Sequence, residues 1–422
     1  MERLVSCLGL LVMVGLAWSM SSAKGRVPWR VVAGGLLLQL SIAYLLLGTA
    51  WGDVLFEGVN LFFAQLQSFA TSGAEFLFGM EGEGEAGSRT SQLLTSFAFS
   101  VLPMIIFFAA LMSVLYYLGV MQWVVKWLAR LMQVILGVSG AESLSAAANV
   151  FVGHTEAPLV IRPYIATMTK SELNAVMVGG FATISGGLLA AYAGMGIDPG
   201  HLLTASVISA PAALLIAKVM QPEFEVSETM GSVTIDVSRE AVNVIEAAAT
   251  GASEGMKLAL NIAAMLIAFL ALIAMLDALL GGLGILCGQV GADGVSLWSL
   301  SKLLGFLFAP LAWLMGIEKQ DCLHAGHLLG LKTVANEFVA FELLGRWGTV
   351  ESDVQLSERS TRILTYALSG FSNFGAIGIQ IGGIGGIAPQ RRSDLAKLGL
   401  RAMVGGALAC GMTACVAGLL IS

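Results

Sequence analysis

Two glutamates stand in apolar surroundings. Glu156 lies in Asn149-Val150-Phe151-Val152-Gly153-His154-Thr155-Glu156-Ala157-Pro158, and Glu337 in Val334-Ala335-Asn336-Glu337-Phe338-Val339-Ala340. Their flanks, Leu159-Val160-Ile161 and Phe338-Val339-Ala340-Phe341, are too apolar for surface loops, which weighs against ordinary solvated glutamates. An ionisable side chain at bilayer depth costs about 2.5–3.5 kcal/mol on insertion scales, so it persists where it faces a polar cavity or a partner. Two such carboxylates could bind a polar solute or act as an acid–base pair. The second chemistry lacks its other parts. No GxSxG, HExxH or phosphate loop precedes a plausible catalytic helix. Cys7, Cys287, Cys322, Cys410 and Cys415 show neither metal spacing nor a disulfide framework. His324 and His327 lack a third ligand and read as ordinary interface residues. Solute binding without catalysis is the expectation.

The whole chain sets these carboxylates in lipid. It has 422 residues, 57% hydrophobic and 12% charged, with a net charge of −6 and a mean hydropathy of +0.83. An ordinary soluble domain is ~25% charged. That balance excludes a cytosolic enzyme, a nucleic-acid binder and a disordered scaffold. Glycine, 51 residues, exceeds the typical ~7% and points to close helix packing and interrupted helices.

Long stretches without Asp, Glu, Lys or Arg mark the spans: Leu4–Ala23, Val31–Ala50, Thr90–Val125, Leu173–Ile197, Pro199–Ala217, Leu258–Leu276, Ile363–Gln390 and Ala402–Ser422. A bilayer core takes about 20 apolar residues per helix. Thr90–Val125 is too long for one span, and Trp123, Lys126, Trp127 and Arg130 imply that an interfacial helix follows it. Trp51–Phe69 and Leu297–Leu314 also read as interfacial. Lys24, Arg26 and Arg30 place the cytoplasm after the first span, so the N-terminus lies outside; a cleaved leader ending near Ser21-Ser22-Ala23 is the competing reading. Lys126/Arg130, Lys218 and Arg391/Arg392/Lys397 then fall inside and the C-terminus outside. Glu223–Glu246 becomes a cytoplasmic connection, and Glu81–Arg89 a solvated loop.

Glu142–Arg162 and Asp321–Arg346 do not behave as spans. Each has a polar centre between short apolar flanks, which suits a re-entrant hairpin. A glycine-interrupted span and then a plain span follow each, with Gly180-Phe181-Ala182-Thr183-Ile184 in one interrupted span and the similar Gly370-Phe371-Ser372-Asn373-Phe374 in the other. The two copies start on opposite sides, which makes an inverted repeat; in transporters such repeats hold solute and ion near the midplane at broken helices. Polar residues gather at the breaks: Asn149, His154, Thr155, Glu156, Thr183, Ser185, Asn336, Glu337, Ser369, Ser372 and Asn373. The expected fold is an all-α integral membrane protein of about eight transmembrane helices, with interfacial helices and two opposed re-entrant helical hairpins. Four regions follow: scaffold 1–137, first transport repeat 138–220, connection with a scaffold span and interfacial helix 221–318, and second transport repeat 319–422.

Gly153-His154-Thr155-Glu156-Ala157-Pro158-Leu159 followed by Ile161-Arg162-Pro163-Tyr164 resembles the first-hairpin motif of the concentrative nucleoside transporters. Gly180-Phe181-Ala182-Thr183-Ile184, Asn336-Glu337-Phe338-Val339-Ala340 and Tyr366-Ala367-Leu368-Ser369-Gly370-Phe371-Ser372-Asn373 resemble that family's other signatures, in order. The resemblance runs from about Thr95 to the C-terminus and is nearest the compact bacterial members.

It implies a homotrimer in the cell inner membrane that takes up nucleosides down a sodium gradient. It places His154, Thr155, Glu156 and Leu188 at the nucleobase. Glu337, Asn373 and Ala376 fall at the ribose, with Phe371 packing on the ligand. The co-transported sodium ion falls to the side chains of Asn149 and Thr183 and the carbonyls of Val152 and Ile184. The chemistry agrees. One carboxylate accepts from both hydroxyls of a diol. Sodium takes hard oxygen ligands, and a helix break frees carbonyls for it. Four positions depart from the family: His154 stands where many members carry Gln and Ala376 where many carry Ser, so the base contact and one ribose contact differ, and Ser369 replaces a common Cys and Ser372 a common Ala. His154 has a plainer alternative, a bond to a neighbouring backbone group. A proton-coupled carrier of the same build is the alternative to sodium, because His154, Glu156 and Glu337 titrate. A passive channel would need a continuous polar stripe rather than two central clusters.

Overall fold

The computed structural model describes residues 2–78, 97–230, 241–290, 296, 298–348 and 354–421. The expected loop Glu81–Arg89, the start of Thr90–Val125 and the middle of Glu223–Glu246 lie outside the described residues. Those described are helical, and their only extended pairing is one isolated bridge, Val290 with Ser296.

The first group of helices is α1 (Glu2–Ser19), α2 (Trp29–Leu47), α3 (Ala50–Phe78), α4 (Phe97–Tyr117) and α5 (Val120–Leu136). The second is α6 (Gly140–Asn149), α7 (Ala157–Val160), α8 (Lys170–Ala182), α9 (Gly186–Gly194) and α10 (Pro199–Met220). Then come α11 (Val244–Leu286) and α12 (Leu300–Leu314). The last group is α13 (Cys322–Val334), α14 (Glu337–Trp347), α15 (Glu358–Leu368), α16 (Phe374–Ile387) and α17 (Arg392–Leu420).

Among the described residues, six segments are long and apolar enough to cross a bilayer: α1, α2, α8 with α9, α10, α11, and α17 with the turn before it. A seventh is α4 taken with α5, which bends away from it by 76°. The bend sits at Gly119, whose φ of +81° is open to glycine at no steric cost. Along α5, Met121, Val125, Ala129, Met132 and Leu136 are buried while Trp123 and Trp127 face out. That is the amphipathic stripe of a helix lying on an interface. The stretch Ile363–Gln390 is not a continuous span; it is α15 and α16, separated by 369–373.

Two helices outrun their expected limits. Trp51–Phe69 belongs to the 29-residue α3. The polar residues after Phe69 do not stop it, because the hydroxyls of Thr71 and Ser72 donate back to the carbonyls of Gln67 and Ser68. Leu258–Leu276 belongs to the 43-residue α11. At 1.5 Å per residue that is about 64 Å, twice the ~30 Å hydrocarbon core, so the helix must tilt or project. It passes Asp277 because that carboxylate accepts from the Leu300 N–H, 2.6 Å away, at the start of α12.

The core is a packed set of α8, α9, α10 and α17. In their most apolar stretches α8–α9 is 94% buried and α10 89%, against 17% for α11. Around this core the chain runs twice through one order. A helix pair (α6 and α7, then α13 and α14) precedes a broken helix (α8/α9, then α15/α16) and a long helix (α10, then α17). The five-residue similarity does not mark equivalent places. Gly180 and Phe181 lie inside α8, whereas Gly370 and Phe371 lie in the break after α15. Each break begins where a helix runs out and ends at a capping side chain. Ser185 accepts from the Leu188 N–H to start α9, and Asn373 accepts from the Ala376 N–H to start α16. The breaks cross closely: a Cβ added at Gly370 would lie 2.8 Å from the Phe181 carbonyl oxygen.

A buried ionic cluster closes the other end of the first repeat. Ser139 and Thr169 form capping boxes with Glu142 and Glu172 at the starts of α6 and α8. Lys218, in the last turn of α10, pairs with Glu142 and, at 3.2 Å, with Glu223. The segment 221–230 is tied down when Ser227 and Thr229 donate to Glu172 and the Gly140 N–H donates to the Thr229 carbonyl. Removing one partner of a buried pair costs about 3–5 kcal/mol because the other charge is left bare. Lys218→Met is therefore expected to lower the unfolding temperature of detergent-purified protein markedly. Glu223→Gln, which keeps the inner pair, should lower it less in the same thermal scan.

Candidate functional site

The second repeat supplies a buried carboxylate with fixed donors. Asn336 caps α14 by accepting from the Val339 N–H at 2.9 Å, which sets Glu337 in its first turn. Glu337 is 3% exposed. Its Oε2 accepts from Asn373 Nδ2 at 3.1 Å, and its Oε1 from the Tyr192 hydroxyl at 3.3 Å. The Asn373 Oδ1 is already engaged by the Ala376 N–H at 2.8 Å, so its amide can only turn N–H toward Glu337. Glu337 thus stands at the start of α14 and touches the capping residue of α16. Two helix N-termini converge there, and their partial positive charge favours an anion. Tyr192, from α9, is held against Phe338 and Phe341 at ring separations of 4.9 and 4.5 Å.

The first repeat supplies the facing polar groups from the turn between α6 and α7. The Gly186 N–H donates to the Phe151 carbonyl at 3.0 Å, which pins this turn to the start of α9. The Gly153 N–H donates to Glu156 Oε2 at 3.1 Å. Glu156 is exposed, while His154 and Thr155 are half-buried. The His154 ring meets Phe371 at 4.6 Å, inclined by 61°. Neither His154 nitrogen has a partner among the described residues, so the ring is not committed to a neighbouring backbone group. Its Cβ packs where Gly180 has no side chain, since a Cβ there would come within 2.8 Å. Thr155 lies against Gly383 of α16. Each carboxylate is held within its own repeat, Glu156 by Gly153 and Glu337 by Asn373. The links between repeats here include His154 with Phe371, Tyr192 with Glu337 and Thr155 with Gly383. Leu188 is buried one helical turn before Tyr192, and Ala376 is buried at the start of α16.

Oxygen donors gather where α6 ends against α8. Asn149, the last residue of α6, is 1% exposed, and its Oδ1 has no partner among the described residues. Its amide nitrogen packs on Gly179, whose carbonyl accepts from the Thr183 hydroxyl at 3.0 Å. Ile184 follows in the break, and Val152 lies in the turn after α6, so both carbonyls belong to non-helical backbone. His324 and His327 both pack edgewise or tilted on Trp347, across the α13–α14 pair.

Three residues of this region escaped sequence reasoning. Tyr192 carried one signal, a lone phenol four residues after Leu188 and so on the same helical face. Gln380, buried in glycine-rich α16, donates to the Met177 carbonyl at 3.2 Å. Lys332, buried in α13, donates to the Ala367 carbonyl at 2.8 Å.

Known proteins share this architecture. Residues 201–418 match the family described as Na+ dependent nucleoside transporter C-terminus, residues 98–198 that described as Nucleoside recognition, and residues 8–81 the Na+ dependent nucleoside transporter N-terminus. An "Uncharacterized transporter" of Haemophilus influenzae is 44% identical over 100% of this chain and 98% of its own length. Sodium/nucleoside cotransporter 1 of Mus musculus is 42% identical over 99% of this chain and 64% of its own length. Solute carrier family 28 member 3 of Homo sapiens is 40% identical over 100% of this chain and 60% of its own. The chain thus spans less than two thirds of these two animal relatives. The structure of CNTnw in an inward-facing substrate-bound state is 40% identical, with a TM-score of 0.90 over 99% of both chains. A CNTnw variant in an outward-facing state is 41% identical, with a TM-score of 0.91 over 100% of this chain and 98% of that one. Matched from end to end by proteins that carry solutes rather than transform them, this multi-pass membrane chain belongs to the Na+-dependent nucleoside transporter family.

Proposed function

We propose that the protein takes up nucleosides by symport with sodium, with alternating access at a midplane site between the two helix pairs and the two broken helices. The observation that carries this reading is the Glu337 carboxylate. It is buried, oriented by Tyr192 and Asn373, and left with spare acceptor capacity. A carboxylate offers about four lone-pair sites, and two are used here, so two remain for the hydroxyls of a ribose. Asn373 and Ala376 complete the sugar side, and Phe371 packs on the ligand. His154, Thr155, Glu156 and Leu188 face the base. The uncommitted nitrogens of His154 support that role, with one donor and one acceptor when the ring is neutral.

Sodium is assigned to Asn149 and Thr183 by side chain and to Val152 and Ile184 by carbonyl. The unpartnered, buried Asn149 oxygen supports a cation there. A carrier driven by protons would need neither Asn149 nor Thr183. The division into scaffold 1–137 and connection 221–318 around transport repeats 138–220 and 319–422 follows the repeated helix order. A homotrimer in the cell inner membrane, with both termini outside, completes the reading; the little-covered apolar face of α11 is suited to lipid or to other copies.

Uptake into proteoliposomes with an imposed sodium or proton gradient tests it, using labelled uridine and adenosine in parallel. Accumulation is expected with sodium; accumulation with a proton gradient alone would assign the other ion. Glu337→Gln should leave expression intact and cut uptake by at least tenfold. A hydrogen bond to a charged group contributes about 1.5–3 kcal/mol, and 1.4 kcal/mol is about tenfold. Asn149→Ala should raise the sodium concentration for half-maximal uptake about tenfold, read from the sodium dependence of initial rates. His154→Gln should shift the competition between purine and pyrimidine nucleosides, since an amide offers two donors and a carbonyl where imidazole offers one of each.

A further inference from the structure

The second repeat buries a positive charge to which the proposed transport assigns no role. Lys332 lies in the last turn of α13 and is 3% exposed. Its ammonium donates to the Ala367 carbonyl at 2.8 Å. Ala367 is in the last turn of α15, just before the chain unwinds. The Glu337 carboxylate, five residues further along, is within electrostatic reach. Lysine has three donors, and this is the one hydrogen bond its ammonium makes among the described residues.

A buried ammonium is costly unless paired, so its place needs a reason. Where a helix stops inside a membrane, its last carbonyls turn outward without partners and carry the negative end of the helix dipole. Each repeat contains one such junction, where the last turn of the pair's first helix meets the last turn of the broken helix's first half. In the first repeat α6 meets α8. The residues there, Asn149 and Thr183, are neutral, and Asn149 presents a buried oxygen without a partner. In the second repeat α13 meets α15. The residue there is Lys332, and its cation is already bonded to the freed carbonyl. One junction is built for a cation and the other already holds one on a covalent tether.

We propose that Lys332 is a resident cation. It fills, in the second repeat, the junction that the first repeat leaves to a transported cation, so each chain binds a single external cation. The identity of that external ion rests on the sodium reading above; the resident role does not. Removing the ammonium while leaving the junction intact should therefore create a second cation site.

Equilibrium binding of radiolabelled sodium to the full-length chain in detergent tests this. The variants are Lys332→Ala and Lys332→Gln, with Lys332→Arg as the control that keeps the charge. Wild type and Lys332→Arg should each bind one sodium per chain, and the two neutral variants two. Thermal unfolding in sodium against choline gives a second readout. The neutral variants should be destabilised in choline and recover in sodium, with a larger gap between the salts than wild type shows. A purely structural lysine would lose stability in both salts alike. Equal sodium counts in wild type and both neutral variants overturn the proposal. So do two ions per wild-type chain, or neutral variants that stay unfolded in saturating sodium. Failure of the sodium reading looks different: wild type then binds none. A rise from none to one in the neutral variants would still uphold Lys332 as the resident cation.

Discussion

A helix that stops inside a bilayer strands backbone groups that no water can reach. The protein interrupts an apolar helix twice, at 183–185 and 369–373, and the surrounding structure answers the backbone groups this frees. The starts of the second halves are closed by Ser185 and Asn373. The ends of the first halves are closed by bonds drawn back from the break, Thr183 to Gly179 and Ser369 to Thr365, and by Lys332 of α13 to Ala367. One thiol serves both breaks, since Cys410 of α17 reaches the carbonyls of Ala182 at 3.5 Å and Ser369 at 3.6 Å. Glycine at 370 and 406 lets these strands approach, because a Cβ at either would meet Phe181. Among the buried polar atoms left without a partner in the described residues, the Asn149 oxygen, the His154 nitrogens and the Ser372 hydroxyl lie at the breaks or the adjoining turn.

The helix caps that shape the site close within each repeat, and separate contacts join the repeats. The caps of α6, α8, α14 and α16 each close on their own repeat. Between the repeats run the hydrogen bonds from Tyr192 to Glu337 at 3.3 Å and from Gln380 to the Met177 carbonyl at 3.2 Å, with His154 packed on Phe371 and Thr155 on Gly383. A site held this way can change the spacing between its halves without breaking the caps that shape each half. The proposed alternating access would leave those caps intact. The residues proposed to face the ligand come from turns and helix starts, while α10 is committed to the core.

Much of this was legible in the chain. Spans showed as stretches without charge, and the site showed as polar residues where apolar ones were due. Lengths were less legible. α3 runs on past Thr71 and Ser72, whose hydroxyls bond back within the helix, and α11 past Asp277, which accepts from the start of α12; composition does not reveal which polar residues find such partners. The similarity of Gly180-Phe181 to Gly370-Phe371 misled about register, because a glycine permits a break without demanding one; the caps at Ser185 and Asn373 decide where each second half begins. Tyr192, Gln380 and Lys332 were missed for a common reason. Each acts on a residue far away in sequence, on Glu337, Met177 and Ala367, and no local pattern predicts such partners.

The two buried lysines show how position separates a pin from a charge with work left to do. Lys218 meets Glu142, Glu223 and Ser171, one partner for each of its three donors. It sits at the polar end of α10, where two capping boxes already gather carboxylates, and its surroundings are saturated. Lys332 sits at a helix break with one carbonyl bonded and Glu337 nearby. A residue needed only to neutralise the end of α15 could have been a neutral donor, as Thr183 and Ser369 are at their own breaks. A full charge there, kept at the cost of burying it, faces both the freed Ala367 carbonyl and the Glu337 carboxylate, which a neutral donor would not balance. Under the proposed reading, the first repeat, with Asn149 in the corresponding junction, is the half that would fill and empty.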